Sequence, residues 1–262
     1  MILKISFVQS KLFWQDVNSN LTYLEQKINE IHQNTDLIVL PEMFSTGFSM
    51  QTNQAEPIEG EAFKWMSRVS KEKNAAVVGS IMTQENGSAY NRLIWMFPDG
   101  NYHSYDKRHL FRMANENESF TAGKKRLIVQ FKGWNICPLI CYDLRFPVWS
   151  RNQVTNDGLA YDLLIYVANW PERRALAWNS LLPARAIENQ AFVLGVNRVG
   201  SDGNGISYSG DSGLFNYLGE KINLPNRFME KIETVEISKS DLLKYREAFP
   251  AFADADEFKL YI

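Results

Sequence analysis

Residues 127–140 read LIVQFKGWNICPLI, two apolar runs joined at Lys132-Gly133, and a Gly-containing connection between β-rich runs is hairpin chemistry. Residues 93–105, LIWMFPDGNYHSY, repeat the form around Pro98-Asp99-Gly100. On both sides of this hairpin section the pattern changes. Toward the N-terminus, residues 2–8 open a strand. Leu21, Leu24, Ile28 and Ile31, spaced three and four apart, mark one helix face, with cap candidates at residues 18–20. Residues 36–40 then form a continuous apolar run, as in strands buried on both faces. The pair repeats once: Ala62, Trp65, Met66 and Val69 mark a helix and residues 75–82 a strand. Toward the C-terminus, residues 146–153 read as helix, 161–168 as a buried strand, 176–190 as a helix and 192–199 as a strand, with a loop or hairpin tip at 201–213. Two strand-helix passes around a hairpin section fit an α/β protein with sheet packed on sheet and helices outside, a four-layer α-β-β-α sandwich. No Pro- or Gly-rich linker divides the chain, so residues 1–262 read as a single domain.

Composition narrows the function classes. The 28 Lys and Arg against 30 Asp and Glu leave a net charge of −2, which provides no general field for a polyanion, so no nucleic-acid partner is expected. The longest apolar runs fall far short of the roughly 20 residues that a membrane-spanning helix needs. No secretory leader pattern precedes the first strand. Cys137 and Cys141 lie too close in sequence to build a disulfide framework. A soluble cytoplasmic protein without a membrane partner is the expectation.

The chemistry centres on Cys141. It follows the apolar strand 136–140, where helix is predicted to resume, and a cysteine at such a junction can project outward with the following backbone N–H groups available to an oxyanion. Taken alone, a cysteine after an apolar run is a core residue. Of the three histidines, His32 reads as a solvated surface side chain, so a Cys-His pair would have to use His103 or His109. Glu42, at the end of the buried strand in LPEMF, and Lys107, at the end of a hairpin strand in YDKRHLF, are better placed. All three sit at strand ends and converge if those ends share one edge. Cys137, four residues before Cys141, is expected to be buried and inert. Trp65, Trp95, Trp134 and Trp149 read as core, and Arg185 and Glu188, three apart, as a helical pair behind the pocket.

With LICYDLRFP around Cys141, these motifs resemble the nitrilase superfamily of carbon-nitrogen hydrolases and its Glu-Lys-Cys triad. AYNRLIWMFPDG, ENESFTAG, ANWPERR and LLPARAIENQ extend the match from residue 2 to about residue 240. LPEMFSTGFSM, KRHLFRMANENESFTAG and ANWPERRALAW are most similar to the omega-amidase branch, which hydrolyses the terminal amide of 2-oxo-dicarboxylic acid monoamides. The resemblance implies the same sandwich fold, a homodimer or larger homo-oligomer with the tail from about residue 240 to 262 at its contacts, and no metal or organic cofactor.

It also implies roles: Glu42 as general base, Cys141 as nucleophile, and Lys107 with the Tyr142 backbone N–H facing the oxyanion. A second glutamate orients the lysine or the water. Glu116, seven residues before Gly123, is chosen for it over Glu118. A small-molecule amide is the expected partner, and Arg173 is the expected clamp for its distal carboxylate. Arg174 is the alternative, and Arg145 is expected to pair with Asp143. Variants of Glu42 and Lys107 should lose rate with far less change in stability. An acyl or N-acyl transferase using the same thioester, a carbamoyl-amine amidohydrolase and a non-catalytic scaffold are the competing readings. Retention of Glu42, Lys107 and Cys141 together argues against the scaffold.

Overall fold

The computed structural model describes residues 1–156, 158–224 and 226–260. The first half runs β1 (Ile2–Gln9), α1 (Val17–Asn29), β2 (Leu37–Val39), the two-residue β3 (Glu56–Pro57), α2 (Glu61–Lys73), β4 (Ala76–Glu85), β5 (Ser88–Met96) and β6 (Tyr102–Asp106). Next come α3 (Glu116–Ser119), β7 (Val129–Phe131), β8 (Trp134–Ile140), α4 (Pro147–Ser150), the short pair β9 (Val154–Thr155) and β10 (Gly158–Leu159), β11 (Leu163–Ala168), α5 (Ala175–Asn189) and β12 (Phe192–Asn197). The hairpin of β13 (Val199–Ser201) and β14 (Ser207–Ser209), then β15 (Gly213–Phe215), β16 (Lys231–Ser238) and α6 (Lys239–Ala248) follow.

One sheet has the order β16-β1-β2-β4-β5-β6, with β3 beside β4, and the other β15-β12-β11-β8-β7. Because side chains alternate along a strand, each sheet presents two apolar faces. Leu3, Ile5 and Phe7 of β1, with Leu37, Val39, Ala76 and Val78, join residues of the second sheet such as Val129, Ile136 and Leu163 in one buried cluster. The alternate positions Val8, Ile38 and Val77 join Leu21, Leu24 and Ile28 of α1 and Ala62, Trp65, Met66 and Val69 of α2 in another. On the second sheet α5 comes so close to β12 that a Cβ at Gly195 would lie 2.6 Å from Leu182 and 2.7 Å from Trp178. Only glycine fits there. The result is the four-layer α-β-β-α sandwich. Among the described residues no helix is long and apolar enough to cross a membrane.

The topology brings four strand ends to one edge. β2 and β4 are parallel, β5 is antiparallel to β4 and β6 to β5, so β6 points the same way as β2. In the second sheet β8 and β11 are parallel. Glu42, Lys107, Cys141 and Asn169 each follow the C-terminal end of one of these strands.

Four local expectations are corrected. The α1 cap is Asp16, whose Oδ1 accepts from Ser19 N at 3.0 Å, and not a residue in 18–20. Asn20 is instead buried, donating to Phe13 O and Ser45 O and thereby tying the loop after β1 to the loop after β2. Ile31 lies beyond the helix end. The helix expected over 146–153 is only a single α-turn, α4, preceded by a 3₁₀ turn at Cys141–Arg145. Phe146 precedes a proline and is pushed out of the helical region, and after Ser150 tertiary bonds take over: Asn152 N donates to Asn189 Oδ1 and its Nδ2 to Tyr161 O. The run 192–199 is divided, β12 ending at Asn197, whose amide Nδ2 binds the carbonyls of Trp170 and Gly210.

Candidate active site

Lys107 is fully buried, and its ammonium donates to Glu42 Oε1 at 2.8 Å and to both Glu116 oxygens at 2.9 Å. Burial disfavours the ammonium, yet Glu116 and Glu42 outweigh it and raise its pKa, so Lys107 is a fixed positive charge. The Phe48 ring lies 5.0 Å from its Nζ. Glu42 Oε2 accepts the Asn169 backbone N–H at 2.8 Å, and Asn91 Nδ2 donates to Glu42 Oε1 at 2.9 Å and Glu116 Oε1 at 3.2 Å. Glu116 also accepts from Phe111 N at 2.6 Å. Its pKa is raised, chiefly by burial, with Lys107 opposing. Glu118, two residues on, is exposed.

Cys141 opens the 3₁₀ turn after β8 with φ +42°, a left-handed conformation costly for a residue with a Cβ. It is 8% exposed, on the wall of a cavity of about 440 Å³, and its Sγ is 3.9 Å from Asn169 O. Burial and then the neighbouring Glu42 carboxylate hold the thiol well above its ordinary pKa, with Lys107 opposing. The resting sulfur is therefore protonated, and a base must take the proton as attack occurs. Cys137 is completely buried away from the cavity, its thiol pushed up to about 12 by burial.

A fixed ammonium and a cysteine on one cavity, with a buried carboxylate bonded to the ammonium behind them, suit nucleophilic attack on a carbonyl carbon. The model of the carbon-nitrogen hydrolase family matches residues 4–247. The chain belongs to the carbon-nitrogen hydrolases. It is 48% identical over 259 residues to the omega-amidase YafV of Escherichia coli K12, covering 99% of each chain. It is 31% identical over 254 residues to the 2-oxoglutaramate amidase of Bacillus subtilis, covering 95% of this chain and 96% of that protein. The solved structure of XC1258 from Xanthomonas campestris, a CN-hydrolase superfamily protein with an arsenic adduct in its active site, superposes with a TM-score of 0.97 at 43% identity, covering 100% of both chains. This hydrolase is an amidase.

The cavity mouth carries three arginines. Arg145, Arg173 and Arg174 all line it, and among the described residues none has an ion pair with an acidic side chain. Arg145 does not pair with Asp143 as expected: Asp143 is buried and engaged by other donors, and the Arg145 guanidinium lies 4.9 Å from the centre of the Trp170 ring. Arg173 is exposed. Arg174 is partly buried over the Phe111 ring at 5.1 Å, its Nη2 is 3.6 Å from the Met113 sulfur, and its buried Nη1 has no partner. Burial, Arg173 and Arg145 all lower its pKa. Asp202 also lines the cavity, but its oxygens are taken by the Tyr208 hydroxyl and the backbone N–H groups of Asn204 and Ile206, so the three guanidinium groups leave an excess of positive charge on the wall.

Asn91 and Asn169 are site residues that sequence reasoning does not single out, although both lie in motif stretches. Their signal was a polar side chain within otherwise apolar runs, AYNRLIW and LLIYVANW. Arg185 and Glu188 pair at 2.9 Å, and Arg185 Nη2 donates to Leu144 O at 2.7 Å, bracing the turn that carries Cys141 from behind. His32 is exposed, and His103 is exposed on β6.

Proposed function

We propose that this hydrolase is an omega-amidase acting on 2-oxoglutaramate or 2-oxosuccinamate, and the observation that carries the reading is the arginine cluster, with its excess of positive charge, on the cavity that holds Cys141. The likeness to YafV and to the Bacillus 2-oxoglutaramate amidase supports it. A linear amide with a carboxylate at its far end would place one end on the thiol and the other on the guanidinium groups.

In the proposed reaction Glu42 takes the proton from Cys141 Sγ as the sulfur attacks the amide carbon. The oxygen, now negative, is held by Lys107 Nζ and the Tyr142 backbone N–H. Glu42 returns the proton to the departing nitrogen, the carbon–nitrogen bond breaks, and ammonia leaves a thioester. Glu42 then deprotonates a water that attacks the thioester carbon. The acid is released and the proton returns to sulfur. Glu116 keeps Lys107 in place. The proposed setting is the cytoplasm, where Cys141 stays reduced; both cysteines are free. A homo-oligomer is the proposed working form, measurable by sedimentation.

Ammonia release is to be measured from 2-oxoglutaramate, 2-oxosuccinamate, glutamine, asparagine, a carbamoyl amine and an aliphatic nitrile. The first two should exceed the rest by far. A carbamoyl amine turned over faster than both would overturn the reading.

Arg173 and Arg174, both on the cavity wall, are proposed to share the distal carboxylate. Losing such a charge-assisted pair is expected to lower kcat/KM for 2-oxoglutaramate by about 10- to 100-fold in Arg174→Met and about tenfold in Arg173→Met. A neutral amide without that carboxylate should be scarcely affected. Equal losses on both substrates would instead assign the arginines to loop structure.

A further inference from the structure

Asp143 is completely buried two residues after Cys141, and its carboxylate makes four polar contacts. Oδ1 accepts the His109 backbone N–H at 3.0 Å and lies 2.7 Å from His109 Nδ1. Oδ2 accepts the Tyr105 hydroxyl at 2.7 Å and the Ile140 backbone N–H at 3.0 Å. The Tyr105 hydroxyl and the two backbone N–H groups are donors, so Asp143 accepts on both of its oxygens. The Tyr105 hydroxyl keeps its proton, since burial and then the charge of Asp143 push its pKa well above the ordinary value.

The four contacts come from two places. Tyr105 and His109 lie two residues on either side of Lys107, whereas Ile140 and Asp143 flank Cys141. Further contacts stiffen the link. Trp149 Nε1 and Arg108 N donate to the Tyr105 oxygen at 3.0 and 3.2 Å, and the His109 ring stacks on Phe146 at 3.7 Å. Phe146 N in turn donates to Asp143 O at 3.0 Å. Asp143 thereby ties the segment around Lys107 to the turn of Cys141 through its own two oxygens.

We propose that Asp143 is a positioning residue that sets the distance and angle between the Lys107 ammonium and the Cys141 sulfur, with Tyr105 and His109 as its arms. The proposal rests on the catalytic roles assigned above to Lys107 and Cys141. It follows from geometry: the oxyanion forms between these groups, and misplacement by about 1 Å can cost on the order of 100-fold in rate. Substrate binding at the arginines lies outside this clamp, so the effect falls on kcat and leaves KM nearly alone.

The test uses the full chain and the amide found fastest in the screen, with kcat and KM taken per active site, sites being counted as the natively folded fraction by circular dichroism. Asp143→Asn is expected to lose about 10- to 100-fold in kcat with KM within about twofold of wild type, and Tyr105→Phe and His109→Ala about tenfold each. His109→Asn, whose Nδ2 donates to the same oxygen, should recover most of the loss. A purely structural role would reduce the number of active sites and leave kcat per site unchanged, and that result in Tyr105→Phe and His109→Ala would overturn the proposal even if Asp143→Asn failed to fold. A Cys141→Ser control that retained turnover would overturn the catalytic assignment itself, and the clamp with it.

Discussion

Cys141→Ser is expected to lose at least about 10³-fold in turnover, while Cys137→Ser keeps most of the wild-type rate. The two cysteines differ in surroundings, not in chemistry. Cys141 is on the cavity wall beside Glu42, and its raised pKa makes proton transfer to that base part of the attack. A serine hydroxyl is a far weaker acid and a weaker nucleophile, so the same carboxylate would have to do much more. Cys137 is sealed in the core, where the change from thiol to hydroxyl costs some stability and touches no substrate. Ammonia release measures the rates, and mass spectrometry of wild type quenched during turnover should find the acyl adduct on the peptide containing Cys141. Comparable activity in both variants would refute the assignment.

Glu42→Gln and Lys107→Met are each expected to lower kcat by about 10² or more, the order for losing a general base or an oxyanion partner. For Lys107 the structure also changes the expectation on stability. Among the described residues its ammonium is the only cation bonded to the carboxylates of Glu42 and Glu116, all three side chains being completely buried. Lys107→Met leaves two carboxylates facing each other, and removing one partner from a buried ion pair costs about 3–5 kcal/mol.

The pH dependence has a definite sign. Glu116 already has a raised pKa, and without the ammonium it rises further. A carboxylate with a raised folded-state pKa costs nothing below its unfolded value, about 4.3, and costs progressively more as pH rises toward the folded value. The unfolding deficit of Lys107→Met should therefore shrink on acidification toward pH 5, and adding Glu116→Gln should recover part of it at pH 7. A deficit independent of pH, and unmoved by Glu116→Gln, would mean that these carboxylates are not what destabilises the variant. Turnover at the wild-type rate in either single variant would show the role given to that residue to be wrong.

Much of this was legible in the sequence because it is local. The period of apolar residues identifies α1 and α2, and the turn chemistry at Lys132-Gly133 and Pro98-Asp99-Gly100 identifies two hairpins. The motifs around Glu42, Lys107 and Cys141 named the groups that the topology brings to one edge. What was illegible depends on distance in space. Residues 146–153 have a helical pattern, but beyond Ser150 the Asn152 backbone N–H is claimed by Asn189 and its side chain by Tyr161, both from elsewhere in the chain. The expected pair of Arg145 with Asp143 failed because Asp143 is already filled by Tyr105, His109 and Ile140, two of them more than 30 residues away.

Sequence by itself therefore determined the layers, the strand ends and the residue types available for chemistry, since periodicity, turn residues and motif spacing act over a few positions of chain. Only the tertiary structure decided which charges share a buried site. It put Asn91 and Asn169 against Glu42, enclosed Lys107 between two carboxylates, and left Arg145, Arg173 and Arg174 as an excess of positive charge on the cavity wall. The physical reason is that the energy of a charge is set by burial and by neighbours within a few ångströms, and those neighbours here come from strands and loops up to 127 residues apart.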